Sequence, residues 1–101
     1  MSLITRFGPP IRLDFTPGSG YWQEATVDGE PTGDICGRLP PGRYKFIVTA
    51  QAAAPKGYIR VQGGKDHNVT SSTIVFTETS KSNGLTATNH LGPCTVMCYP
   101  A

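Results

Sequence analysis

Leu39-Pro40-Pro41-Gly42-Arg43-Tyr44-Lys45-Phe46-Ile47-Val48-Thr49-Ala50 is the stretch that decides the fold. A Pro-Pro-Gly turn launches a run in which Tyr44, Phe46, Val48 and Ala50 share one face. Arg43, Lys45 and Thr49 share the other, with Ile47 an apolar exception. Successive side chains of a strand point to opposite faces, so this alternation describes a strand buried on one side and wet on the other.

The same cadence recurs on both sides of that stretch. Ile11, Leu13 and Phe15 point inward from Ile11–Phe15, Tyr21–Val27 reads as a strand, and Ile35–Leu39 reads as a brief one. Further on, Ile59 and Val61 oppose Tyr58, Arg60 and Gln62, while Ile74 and Phe76 oppose Thr73, Val75 and Thr77. Leu85, Ala87 and Leu91 share a side, and the last strand places Cys94, Val96 and Cys98 inward with Thr95, Met97 and Tyr99 outward. Between these runs lie a tight turn at Asp28-Gly29, a loop at Gly63–Asn68, and a hairpin signal at Ser80–Gly84 carried by Asn83-Gly84. Eight or nine short strands cannot all bury one face in a single sheet, whereas two sheets stacked about 10 Å apart can. The expectation is an all-β fold, an antiparallel two-sheet β-sandwich that is jelly-roll-like. An immunoglobulin-like domain is disfavoured because Trp22 precedes all three cysteines. Residues 1–10, ending in Gly8-Pro9-Pro10, read either as an N-terminal arm or as an edge strand, with the sandwich over 11–101.

A chain of 101 residues suits one core. Twelve glycines, nine prolines and only 16% charged residues fit many short strands joined by turns. A formal charge of +2 from scattered Lys and Arg gives no clustered basic surface, so no nucleic-acid partner is expected. No apolar run approaches the roughly 20 residues that span a bilayer, so no membrane is expected either. Met1–Gly8 lacks the apolar segment of a secretory signal, which points to a chain made and used in a cytoplasm. Cys94 and Cys98 share a face but stand roughly 13 Å apart on a straight strand. That exceeds the ~7 Å a disulfide allows, so the cysteines read as buried reduced thiols, with a bridge through Cys36 as the alternative.

Catalytic inventory is thin. His67 sits beside Asp66 in a Gly-rich loop and His90 near a strand end, neither within a serine-nucleophile elbow or a paired-histidine metal motif. Gly63-Gly64-Lys65 lacks the preceding glycine and the following Ser or Thr of a phosphate loop. A non-enzymatic protein without cofactor or metal is expected. Tyr21 and Trp22 are adjacent and should face opposite ways, one ring in the core and one outside. An outer ring could fill a protein interface or stack on carbohydrate. Met97 and Tyr99, with Val75 and Ile47, make the outer surface apolar enough to need a partner, unless a loop covers them.

The Leu39–Ala50 string resembles the "proline-glycine turn, then Tyr-x-Phe-x-Val-Thr" strand of bacteriophage virion β-sandwiches. Leu85–Tyr99 is similar to their closing hairpin, so the resemblance covers roughly Ile35 to Tyr99. Small capsid decoration (cement) proteins, tail-associated domains and carbohydrate-binding modules are built this way. The resemblance implies a structural virion protein, assembled in the host cytoplasm, that binds a major capsid protein or another virion protein as a homo-oligomer, a trimer by preference. The contact residues expected are Leu3, Ile4 and Phe7 on the arm, then Trp22, Met97 and Tyr99. The alternative is a carbohydrate-binding or receptor-binding module using Trp22 or Tyr21 flanked by Gln23 and Glu24.

Overall fold

A computed structural model describes residues 9–81 and 84–101. Leu3, Ile4, Phe7 and most of the expected arm, together with Ser82 and Asn83, lie outside the described residues. Among the described residues nine strands follow in order: β1 (Ile11–Thr16), β2 (Glu24–Val27), β3 (Glu30–Pro31), β4 (Gly42–Ala50), β5 (Gly57–Val61), β6 (Asp66–Val69), β7 (Thr73–Ser80), β8 (Leu85–Ala87) and β9 (Cys94–Pro100). One 3-10 turn, Asn89–Leu91, separates the last two. The strands form a six-stranded sheet ordered β3-β2-β1-β9-β4-β7 and a three-stranded sheet ordered β6-β5-β8, all antiparallel.

The two sheets bury one shared core. From the larger sheet come Leu13, Phe15, Tyr44, Phe46, Val48, Cys94, Val96 and Cys98; from the smaller, Ile59, Val61, Val69, Leu85 and Ala87. β4 buries Tyr44, Phe46, Val48 and Ala50, exposes Arg43, Lys45 and Thr49, and half-buries Ile47, as its alternation predicts. The strand order also settles the topology. Gly37 bridges Leu85 on β8 and acts as one more, minimal strand. Setting aside the β2–β3 hairpin, the larger sheet then runs first, eighth, third, sixth, and the smaller second, seventh, fourth, fifth. That is the order of a jelly roll.

Asp28 and Gly29 close the β2–β3 hairpin with φ of 49° and 84°. Two positive φ values are what a two-residue hairpin turn of the primed kind requires, so the tight turn expected there forms. Other expectations are corrected. Asp66–Val69 is a strand, not loop, because β5 supplies its hydrogen-bonding partner. Ile35–Leu39 reduces to the single Gly37 bridge. The strands on either side of Asn83-Gly84 do not form a hairpin: β7 pairs with β4, and β8 pairs with β5 in the other sheet. Likewise β8 and β9 are not a closing hairpin, since β9 lies between β1 and β4.

Candidate functional site

The Tyr21–Val27 segment changes sheets partway along, and this creates the first surface. Trp22 bridges Thr88 at the edge of the smaller sheet, while Glu24 already pairs with Thr16 in the larger one. Gln23 is fully buried at this corner. Its backbone N–H donates to the Ala87 carbonyl at 2.9 Å, and its side-chain amide donates to the Thr88 and Gly92 carbonyls at 2.9 and 2.7 Å. Strict alternation does not survive such a corner, so neither neighbouring ring enters the core. Tyr21 is 57% exposed and Trp22 half-buried, and their rings touch edge to face at 4.9 Å. The expected polar flank is also corrected, because Gln23 is spent on the fold.

The groups around Trp22 come instead from β5, with Tyr58 and Arg60 facing outward, and from Gln62 just beyond its end. Tyr58 meets the Trp22 ring edge-on at 5.9 Å, and its hydroxyl hydrogen-bonds the Tyr21 hydroxyl at 2.8 Å. That bond pushes the Tyr58 phenol up from its ordinary value. The Arg60 guanidinium lies 5.1 Å from the Trp22 centroid and 5.6 Å from that of Tyr58, within cation–π range. Arg60 also donates twice to Asp66, at 2.7 and 3.2 Å, and these bonds hold the Asp66 carboxyl below its ordinary value.

Beside this cluster the loop before β4 leaves a cleft of about 370 Å³. Trp22, Arg60, Gln62 and Thr86 line it from the sheet, and Asp34, Ile35, Cys36 and Arg38 from the loop. Arg38 pairs with Asp34 at 3.3 Å, and Gln62 donates to the Thr86 hydroxyl at 2.9 Å. Burial pushes the Cys36 thiol up, with Arg38 partly opposing it. Sequence reading placed Tyr58, Arg60 and Gln62 on one face but could not join them to Asp34 and Arg38. No local signal says which strand such a segment will lie beside.

The second surface is the outer face of the six-stranded sheet. Register aligns Val75, Ile47 and Met97 across β7, β4 and β9, and the next row aligns Thr77, Lys45 and Tyr99. Val75 is 55% and Tyr99 38% exposed, with Ile47 and Met97 half-buried among their neighbours. On the other side of that apolar row lie Thr73, Thr49, Thr95 and Asp14, with the Thr95 hydroxyl donating to Asp14 at 2.6 Å. Met97 and Tyr99 are therefore neighbours, as read from the sequence. Trp22 is not among them: it sits over the outer face of the opposite sheet, so the expected contact residues do not form one site.

Asp66 and His67 point to opposite faces of β6. Asp66 holds Arg60, while His67 stacks on Phe76 at 3.7 Å and meets Glu78 at 2.5 Å. Among the described residues no three His, Cys, Asp or Glu side chains gather as metal ligands. Cys94 and Cys98 are buried free thiols, so the alternative bridge from Cys36 to one of them is not formed. No helix among the described residues is long and apolar enough to cross a membrane. No protein-family model, curated protein or solved structure matches the chain.

Proposed function

We propose that this chain is a non-enzymatic structural protein of a virus particle, a decoration protein that seats the outer face of its six-stranded sheet on the capsid shell. The observation that carries the reading is the aligned row Val75, Ile47 and Met97 with Tyr99 beside it, an apolar strip on a sheet face whose other residues are threonines and charged side chains such as Lys45, Arg43 and Asp14. Covering such a strip gains roughly 25 cal/mol per Å² of apolar surface, while the flanking Lys45 and Arg43 orient the contact. The strand cadence from Ile35 to Tyr99, which resembles virion sandwiches, supplies the class of partner: a major capsid protein. A protein that binds the assembled lattice but not free subunits stabilises the shell by mass action. Arrangement as a trimer on a symmetry axis multiplies each weak contact, and residues 1–10, with Leu3, Ile4 and Phe7, add a second contact as an arm.

The test begins with quantitative mass spectrometry of purified particles, in which this chain should appear in fixed, high stoichiometry to the major capsid subunit. Shells stripped of it should then rebind the purified protein in sedimentation. Val75→Lys with Met97→Lys should weaken that binding at least about tenfold, the cost of burying unpaired charge at an interface. The melting temperature should stay close to wild type. Absence from particles, or rebinding that ignores both substitutions, would remove the proposal.

A further inference from the structure

We infer that the cleft between the Asp34–Arg38 loop and the outer face of the smaller sheet binds a neutral oligosaccharide, one sugar ring lying against Trp22 and its hydroxyls held by Asp34, Arg38 and Gln62. The cleft's volume of about 370 Å³ falls in the range of small-molecule sites, and a few convergent polar groups beside an aromatic wall are what such sites present. The Arg60 guanidinium lies over the Trp22 ring, 5.1 Å from its centroid, so the pyranose meets a wall built of the indole and that cation together. The edge contacts of Trp22 with Tyr21 and Tyr58, and their shared hydroxyl bond, hold the rings in place, so little order is lost on binding.

The polar groups select the ligand class. A carboxylate accepts, a guanidinium donates in pairs, and a carboxamide does both; sugar hydroxyls, each donor and acceptor, can satisfy all three at once. Charge excludes the competing classes. Arg60 is held by Asp66, and Arg38 by Asp34, so the cleft carries no surplus cation for a phosphate or a sulfated chain. A neutral ligand hydrogen-bonds the N–H groups these pairs leave free and brings no uncompensated charge to a cleft whose cations are already matched. The cleft and the apolar strip lie on opposite sides of the sandwich, so the two surfaces can be occupied together. The inference stands apart from the capsid proposal: failure to bind shells leaves it intact.

Trp22 is the sole tryptophan, so its emission reports the cleft directly. The experiment titrates the full chain with maltohexaose, cellohexaose, chitohexaose and mannohexaose, and with heparin and hyaluronan fragments, following emission and calorimetric heat into the millimolar range. At least one neutral sugar should shift the emission saturably and release heat. Arg38→Ala and Gln62→Ala should each weaken that binding about tenfold, the worth of one good hydrogen bond, with the melting temperature preserved. Trp22→Phe, which keeps a ring at the corner, should weaken the calorimetric affinity further. Binding by none of the neutral sugars overturns the inference, as does binding confined to the charged fragments. So does neutral binding that both alanine variants leave unchanged.

Discussion

Gly84 shows how much a single residue can carry here. Its φ of +83° lies in the left-handed region, and a Cβ on it would strike the Gly37 carbonyl oxygen. That same carbonyl accepts the Leu85 N–H at 3.1 Å, while the Gly37 N–H donates to the Leu85 carbonyl at 2.8 Å. The Gly84 carbonyl in turn accepts from Gln62 at 2.9 Å, so this glycine holds the minimal strand, β8 and the end of β5 in register. Gly84→Ala should destabilise the fold by about 2–3 kcal/mol, strain and clash together. Gly29→Ala, at φ +84° but with open space around its Cβ, should cost only the conformational part, about 1–2 kcal/mol. Urea unfolding of both variants checks the order; equal costs would refute the packing role. The sequence marked Gly84 as hairpin glycine. It is required for a different reason, the approach of a backbone 47 residues away in the chain. Gln23 teaches the same lesson: as a polar residue beside an exposed ring it reads as a surface group, and only the corner between sheets makes it a buried donor.

At the scale of the element, β4 behaves as its letters say. It lies between β7 and β9, so every second side chain meets core while the others meet water or the outer strip. Phe46→Ala should cost about 3–5 kcal/mol through lost burial and the cavity left behind. Lys45→Ala, one position away, should stay within about 0.5 kcal/mol. Denaturation midpoints measure both, and a large loss at Lys45 would mean the outer face is part of the fold. β1, β5, β7 and β9 were equally legible, because each is long enough for alternation to show. β6 was not. Asp66, His67 and Asn68 show no inward apolar set, and the strand exists because β5 pairs with it, which leaves no periodic trace. The same gap hid the cleft, half of which was readable on β5 and half of which depends on where the Asp34–Arg38 loop lies.

The whole molecule is tied together by contacts distant in sequence, with β1 pairing β9 across most of the chain. One consequence is a pH dependence that no single element would show. Burial between the sheets pushes the Cys94 and Cys98 thiols up from 9.0 to about 12, and burial raises the Tyr44 phenol as well. Unfolded thiols release their protons near 9.0, while the folded ones hold theirs until about 12. Over that window the folded state binds more protons, so stability is full below pH 9 and falls as the pH rises toward 12. Urea midpoints on either side of pH 9 should show the decline, and the Cys94→Ala/Cys98→Ala variant should flatten it; an unchanged slope would place those thiols outside the effect. By itself the sequence determined the fold class, the inward face of every long strand, the Asp28-Gly29 turn and the apolar residues of the outer strip. These are local matters, set by side-chain alternation and by which residues tolerate positive φ. Tertiary structure alone decided which sheet each strand joined, that β7 and β8 part company, that Trp22 sits at a corner, and that an Arg- and Asp-lined cleft stands beside it. Those follow from pairing and loop placement between distant segments, whose free energy depends on contacts that no short stretch of chain contains.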